Sequence, residues 1–174
     1  MSEASAISDW RDDIFAALKA AGIRQVGYVP DAGHSRLIEL CQGDPEIRGI
    51  PLTSEEEGIG LAAGAWLGGQ RAALLMQSSG VGNCINMLSL IQGGRFPFLT
   101  VVSMRGDFGE GNPWQYPMGQ ATQPVLEAMG VICLRVDRPE EVVATAVAAL
   151  TMAFKGGQAV AMLLGQRLIG AKPF

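Results

Sequence analysis

Three consecutive glutamates, Glu55, Glu56 and Glu57, are the residues of this chain best suited to acid–base chemistry. Thr53 and Glu56 have the spacing of a capping box, the reciprocal pairing that starts many helices. Ser54 and Glu57 have the same spacing. Carboxylates in a first helical turn are also stabilised by the helix dipole, by about 0.3–1 kcal/mol. Capping alone therefore accounts for the acidic run, unless the helix that follows it has a further role.

The helix predicted over residues 55–67 is rich in small residues. Gly58, Gly60 and Gly64 lie inside it, and each glycine costs a helix about 1 kcal/mol relative to alanine. We expect such a helix where a ligand or another backbone approaches closely. The glycine spacing also imitates a dinucleotide-binding fingerprint. That interpretation is excluded by charge, because the three glutamates stand where a pyrophosphate would bind.

A glycine-rich loop is predicted at residues 78–82, directly after an apolar strand. Gln77, Ser78, Gly80 and Asn83 could contact a ligand there, because glycines let the backbone come close to a bound molecule. The structural alternative is a tight turn in which Asn83 caps the next helix. The residues themselves leave both interpretations open.

His34, the only histidine, and Arg105 follow two other predicted strands. His34 fits a surface position as well as it fits a hydrogen bond to an acidic substrate. Arg105 could bind a carboxylate, sulfonate or phosphonate through two parallel hydrogen bonds, or be a solvated or interface residue. It begins the longest irregular stretch, residues 104–119, which contains four glycines and two prolines. Compact domains seldom keep such a loop without a function, so we predict a lid or an interface segment.

Apolar strands that alternate with helices must position these residues. Strands that are apolar throughout indicate a parallel sheet covered on both faces. We therefore predict an α/β fold for residues 1–174, a single domain with a six-stranded, mainly parallel, doubly wound sheet. Ligands bind such sheets at the carboxyl ends of the strands. The predicted strands are 25–29, 48–52, 72–77, 97–103, 131–136 and 159–164, and the predicted helices are 10–18 (capped at Gly22), one near Ser35, 55–67, 83–91 and 139–154.

Composition excludes several classes of partner. A net charge of -4, without a long basic run, argues against nucleic acid. The longest apolar run, 142–154, is shorter than the roughly 20 residues of a membrane-spanning helix, and residues 1–4 lack the features of a signal peptide. Cys41, Cys84 and Cys133 are far apart in apolar settings, which predicts buried thiols, no metal site and a cytoplasmic location. With 48% hydrophobic and 17% charged residues, a large subunit interface is expected.

Residues 55–66 resemble the pyrimidine-binding domain of thiamine-diphosphate enzymes, in which a glutamate precedes a helix of small residues. Matching residues 63–66 (Ala-Gly-Ala-Trp) to the end of that motif places the family glutamate at Glu56. Residues 29–31, 76–83 and 103–106 resemble, in order, segments of sulfopyruvate and phosphonopyruvate decarboxylases. The resemblance runs from about residue 9 to residue 168.

This resemblance implies a subunit of a thiamine-diphosphate-dependent 2-oxo-acid decarboxylase, with sulfopyruvate or phosphonopyruvate as the substrate. Glu56 would hydrogen-bond the aminopyrimidine of the cofactor and promote its activation. We expect Glu56 to be buried, with a pKa raised by burial and by its acidic neighbours. The resemblance further implies cofactor contacts from Gln77, Ser78, Gly80 and Asn83, and substrate contacts from His34 and Arg105.

The family binds the diphosphate through a divalent metal in a second domain marked by Gly-Asp-Gly. Residues 43–44 and 106–107 are the only Gly-Asp pairs here, and neither continues in that way. The resemblance therefore implies a partner (beta) subunit that carries Gly-Asp-Gly and holds Mg²⁺, in an α2β2 assembly or a multiple of it. Three alternatives stay open: a carboligase subunit, an oxidative decarboxylase subunit, and a non-catalytic Rossmann-like regulatory subunit in which Glu56 only caps a helix.

Overall fold

Six strands form one sheet in the order β2-β1-β3-β4-β6-β5 in the computed structural model, which describes residues 9–171. Every neighbouring pair is parallel, so the predicted six-stranded α/β sheet is confirmed. Because all strands run the same way, their carboxyl ends meet at one edge, called the carboxyl edge below. The strands are β1 (Ile23–Tyr28), β2 (Arg48–Pro51), β3 (Arg71–Gln77), β4 (Phe98–Ser103), β5 (Ile132–Val136) and β6 (Ala159–Leu164).

Helices connect successive strands and cover both faces of the sheet. None of those within residues 9–171 combines the length and the apolar character that a membrane crossing requires. Residues 1–4, considered above for a signal peptide, lie outside the described range. The α-helices are α1 (Trp10–Ala20), α2 (Ser35–Gly43), α3 (Glu55–Leu67), α4 (Ser78–Cys84), α5 (Leu88–Gly94), α6 (Tyr116–Ala128), α7 (Val142–Phe154) and α8 (Gln166–Ile169), and short 3-10 helices span Pro113–Gln115 and Pro139–Glu141.

Three segments differ from their predicted structure. Residues 78–82, predicted as a loop, form the first part of α4. Their glycines disfavour a helix, but packing overrides that preference, since Gly80 and Val81 are buried. The single helix predicted over residues 83–91 is interrupted and continues as α5. The stretch 104–119 is also more regular than predicted, because α6 already begins at Tyr116.

Each face of the sheet has its own apolar core. Helices α1, α2 and α7 pack on one face, and α3, α4, α5 and α6 pack on the other. Strand β3 contributes to both, with Ala73 and Leu75 on the first face and Leu74 and Met76 on the second. This alternation follows from the period of two along a strand. It explains why the predicted strands are apolar throughout.

The three glycines of α3 have different surroundings. A Cβ on Gly58 would lie 2.3 Å from Cδ1 of Leu74, so the helix can approach β3 only because this residue is glycine. The close contact at Gly58 is thus with a side chain of β3, whereas the prediction was a ligand or another backbone. At Gly60 and Gly64 a Cβ would have no atom within 4 Å. Nothing in the described part of the chain requires glycine at these two positions.

The cysteines match their prediction in two cases of three. Cys41 and Cys84 are buried free thiols, and burial raises the pKa of each to about 12. Cys133 is also free but only partly buried, so the burial predicted for it is wrong. Strand β5, which carries it, is the outermost strand of the sheet on that side and is less covered than the central strands.

Candidate active site at the carboxyl edge

Helix α3 begins at the carboxyl edge, and its first residue, Glu55, is a nearly buried carboxylate with 8% exposure. Gly58, Ile59 and Ala62 are buried on the same side of the helix, three, four and seven residues further on. Residues with that spacing share one helical face. Glu55 is therefore directed inward by the same face that packs α3 on the sheet.

Glu56 and Glu57 are both exposed. The burial predicted for Glu56 is therefore wrong, because successive first-turn residues of a helix point about 100° apart and only Glu55 continues the buried face. The capping interaction is made by Glu57, whose Oε2 accepts a hydrogen bond of 2.9 Å from the backbone N–H of Thr53. Ser54 is the N-cap residue, but its side chain makes no capping hydrogen bond. Each of the three glutamates thus has a different environment.

The carboxylate of Glu55 packs against helix α4. Asn83 donates a hydrogen bond of 2.9 Å from Nδ2 to Oε2 of Glu55. A Cβ on Gly80 would lie 2.4 Å from the carboxyl carbon, so glycine is required for the carboxylate to occupy this position. Among residues 9–171, no Lys, Arg or His forms a salt bridge with Glu55. Glu55 is a buried acid with a neutral amide as its hydrogen-bond donor.

Asp31 connects the ends of three strands at the same edge. Its Oδ1 accepts a hydrogen bond of 2.8 Å from Nε2 of Gln77, at the end of β3. Its Oδ2 accepts hydrogen bonds from the hydroxyl of Ser103, at the end of β4, and from the backbone N–H of Gly33. Sequence reasoning noted the turn at residues 29–31 but missed this carboxylate. The available signal was its position directly after an apolar strand.

Ser78, predicted to bind the cofactor, is fully buried at the start of α4. Its hydroxyl oxygen accepts a hydrogen bond of 3.0 Å from the backbone N–H of Arg105. Its carbonyl oxygen accepts a longer one, 3.4 Å, from the hydroxyl of Thr122 in α6. Ser78 therefore ties α4 to the segment that follows β4.

Arg105 makes the two parallel hydrogen bonds expected of it, but with a carboxylate of the chain itself. Its Nε and Nη2 donate to the two carboxylate oxygens of Glu110 at 2.5 and 2.7 Å. The side chain of Glu110 is fully buried. Hydrogen bonds from Arg105, the backbone N–H of Asn112 and the amide of Gln166 lower the pKa of Glu110 to about 2, although burial opposes them. Sequence reasoning missed Glu110, because no sequence motif predicts an ion pair within an irregular segment.

His34 is buried, with 1% exposure, where α2 begins. The surface position considered from the sequence is therefore wrong. Its Nε2 lies 3.2 Å from the carbonyl oxygen of Met76 in β3. Burial lowers the pKa of His34, and the charge of Asp31 opposes that shift only in part. Burial therefore favours the neutral form of the ring.

Residues 34–171 match the family profile described as pyruvate flavodoxin/ferredoxin oxidoreductase, thiamine diphosphate-binding. The chain belongs to this thiamine diphosphate-binding family. The match includes α3, α4 and the segment around Glu110, and therefore the whole carboxyl edge described above except Asp31 and its turn.

Relatives within the family include alpha subunits of sulfopyruvate decarboxylase. That of Methanococcus maripaludis is 40% identical over 129 residues, which cover 74% of this chain and 77% of the relative. That of Methanothermobacter thermautotrophicus is 38% identical over 158 residues, covering 90% of this chain and 95% of the relative. Phosphonopyruvate decarboxylase of Streptomyces viridochromogenes is 37% identical over 117 residues, but these are only 30% of its length.

A solved structure has the same fold. It is the 2-oxoglutarate:ferredoxin oxidoreductase of Magnetococcus marinus with 2-oxoglutarate, coenzyme A and succinyl-CoA bound. The TM-score is 0.78 at 17% sequence identity, and the match covers 94% of this chain. The chain spans 30% of the length of that protein. This likeness supports the architecture of the family domain.

The residues at the carboxyl edge fit the cofactor of the family. An aminopyrimidine presents ring and exocyclic nitrogens to a hydrogen-bonding partner, and the carboxylate of Glu55 is such a partner in a nearly buried setting. Asn83 fixes one of its oxygens. Gly80 supplies the space in which the carboxylate lies. The roles of Gln77, Ser78, Gly80 and Asn83 in cofactor binding stay predictions.

Proposed function

We propose that this chain is the subunit of a thiamine-diphosphate-dependent 2-oxo-acid decarboxylase that activates the cofactor. We further propose that Glu55 has the role predicted for Glu56. The observation that carries the proposal is the nearly buried carboxylate of Glu55 at the carboxyl edge, hydrogen-bonded to a neutral amide. When bound, the cofactor supplies the electron sink that lets carbon dioxide leave a 2-oxo acid.

The residues of the chain would prepare Glu55 for one proton transfer. A carboxyl group that hydrogen-bonds a ring nitrogen can hold a proton there or release it, if its geometry is fixed. Asn83 donates to Oε2 of Glu55 and so sets the orientation of the group. Gln77 is held by Asp31 at the end of β3, next to α4. We propose that Gln77, Ser78, Gly80 and Asn83 line the cofactor's pyrimidine side.

Sulfopyruvate and phosphonopyruvate are the proposed substrates, because decarboxylases of both compounds are 34–40% identical to this chain. Direct substrate contacts by His34 and Arg105 stay predictions. In the structure the ring of His34 lies against the backbone of Met76. The guanidinium of Arg105 is bound to Glu110.

We propose that a second subunit completes the enzyme. The sulfopyruvate decarboxylase of Methanosarcina acetivorans is matched over only 31% of its length, whereas the alpha subunits are matched over 76–95% of theirs. The same activity is thus named for a long chain and for chains of about this size. The proposed beta subunit carries Gly-Asp-Gly and holds Mg²⁺, in an α2β2 assembly or a multiple of it. The free thiols of Cys41 and Cys84 support a reducing, cytoplasmic location.

The test is an assay of the assembled enzyme. This chain is co-expressed with the Gly-Asp-Gly subunit encoded in the same genome, and carbon dioxide release is measured with sulfopyruvate, phosphonopyruvate and pyruvate. We expect release from one of the first two, with an aldehyde as the other product. A complex that consumes none of the three acids contradicts the proposal.

Oxidative decarboxylation is a second candidate, favoured by the family profile, whose description names oxidoreductases. Simple and oxidative decarboxylation differ in the acceptor of the electron pair that stays on the cofactor-bound fragment when carbon dioxide leaves. A decarboxylase passes that pair to a proton and needs no further substrate. Consumption of the 2-oxo acid that depends on coenzyme A and reduces ferredoxin would identify the second candidate.

A further inference from the structure

Three large aromatic side chains are exposed within a short part of the chain, residues 108–116, called the aromatic segment below. Trp114 is 87% exposed, Tyr116 43% and Phe108 42%. Exposed apolar residues are common when scattered singly, but a concentration of aromatic ones is typical of a surface that binds another protein. This segment is also the one that the sequence predicted to be a lid or an interface.

The aromatic segment is held in place by contacts inside the domain. Glu110 is bound to Arg105, and its carbonyl oxygen accepts a hydrogen bond of 2.6 Å from the hydroxyl of Tyr116. The side chain of Asn112 accepts a hydrogen bond of 3.1 Å from the backbone N–H of Trp114. A segment that is already ordered loses less entropy when it binds. The exposure of Trp114 is therefore a feature of an ordered surface.

The aromatic segment adjoins the candidate active site through α4. The backbone N–H of Arg105, just before the segment, is bound to the hydroxyl of Ser78. Met118, just after it, lies 3.2 Å from the position that a Cβ on Gly82 would take. A protein that covers the segment would therefore also lie beside the helix that contacts Glu55.

We infer that the aromatic segment is the docking surface for the diphosphate-binding subunit, with Trp114 as its main anchor. This inference rests on the proposed function. The occupant is argued from the relatives: where the enzyme is one long chain, the part outside the matched region belongs to the same molecule, and in the proposed two-subunit enzyme a partner would supply that part by contact. Aromatic side chains bury about 150–250 Å² each. Trp114 still exposes most of such an area, whereas Tyr116 and Phe108 expose less than half of theirs, so Trp114 is the main contributor to the roughly 800 Å² that one partner adds to a standard interface.

The test measures association and turnover separately in the co-expressed complex. Trp114→Ala is compared with Trp66→Ala, because Trp66 is also exposed, at 40%, but lies at the opposite end of α3 from Glu55. We expect Trp114→Ala to raise the dissociation constant about tenfold or more, equivalent to about 1.4 kcal/mol, and Trp66→Ala to leave it within about threefold. The melting temperature of the free chain, and carbon dioxide release at saturating partner, should be unchanged by Trp114→Ala. Hydrogen exchange at residues 108–116 should slow when the partner binds.

Other outcomes overturn the inference. Wild-type affinity in Trp114→Ala would show that the surface is not used. Failure of the unmodified chain to bind the partner would contradict the proposed second subunit, and the docking surface with it. A loss of turnover at saturating partner, with unchanged affinity, would make the segment part of the active site instead. Weaker self-association of this chain alone would make a second copy the occupant. A complex that forms through Trp114 but releases no carbon dioxide would contradict the proposed function, while the docking surface itself would be supported.

Discussion

Two buried carboxylates, Glu55 and Glu110, lie at the carboxyl edge in opposite chemical settings. Glu110 is paired with the guanidinium of Arg105 and also accepts hydrogen bonds from Gln166 and Asn112. Glu55 accepts a hydrogen bond from the amide of Asn83. Burial is nearly the same for both, since Glu110 is 5% exposed and Glu55 is 8% exposed. The partner, rather than burial, therefore separates an acid that is neutralised within the domain from the one that we propose meets the cofactor.

The largest effect should come from removing the acid at Glu55. Glu55→Gln keeps the size and the acceptor oxygen but cannot transfer a proton, so turnover of the assembled enzyme should fall about 10²–10⁴-fold. The matched control is Glu56→Gln, next in the chain and exposed, which should retain nearly full activity. Steady-state carbon dioxide release measures both. Full activity in Glu55→Gln together with a loss in Glu56→Gln would restore the role to Glu56.

Breaking the ion pair of Glu110 should affect stability. Arg105→Ala leaves a buried carboxylate without its cation, which costs about 3–5 kcal/mol of unfolding free energy. Arg138→Ala is the control, because Arg138 pairs with Glu141 while 70% exposed, and such surface pairs contribute about 0–1 kcal/mol. Urea denaturation of the free chain measures both. Equal losses in the two variants would contradict a structural role for Glu110.

Acid should destabilise the chain through the same group. The pKa of Glu110 is about 2 in the folded chain, below its ordinary value of 4.5. A lowered folded-state pKa stabilises the fold fully above about pH 4.5, and that contribution is lost as the pH falls toward 2. The contribution at stake is about 3 kcal/mol. Unfolding free energies of the wild type and of the Arg105→Met, Glu110→Gln double variant, measured between pH 5 and 2, should converge as the pH falls. A constant difference over that range would contradict the assignment.

The smallest effects are expected from alanine substitutions of two glycines, Gly80 and Gly60, which should change stability in opposite directions. Gly80→Ala places a methyl group 2.4 Å from the carboxyl carbon of Glu55, so it should displace the acid and lower the stability by about 1–3 kcal/mol, with a matching loss of turnover. Gly60→Ala meets no atom within 4 Å and should stabilise the free chain by about 0.5–1 kcal/mol. Thermal melting and the carbon dioxide assay measure these changes. A stable, active Gly80→Ala variant would show that Glu55 need not occupy this position.

The sequence predicted the fold better than it predicted the site. Strands were placed within two residues of their observed ends, because buried parallel strands are continuous apolar runs bounded by turns. The motif match places the family glutamate at Glu56, whereas the structure buries Glu55 and exposes Glu56. Extending the buried face of α3 backwards from Ile59 and Gly58 would have chosen Glu55. Helical periodicity was therefore the better guide to which acid points inward.

Local sequence determined what depends on neighbours along the chain: the strands, the helices α1, α3 and α7, the cap made in the first turn of α3 and the resemblance to one family. It did not predict α6. Tertiary structure decided what depends on distant residues. It made a helix of residues 78–82 by packing them against α3, and it paired Arg105 with Glu110. It also left Glu55 with the amide of Asn83 as its donor. Such outcomes depend on which side chains meet in three dimensions, because the free energy of a buried charge is set by the groups that surround it.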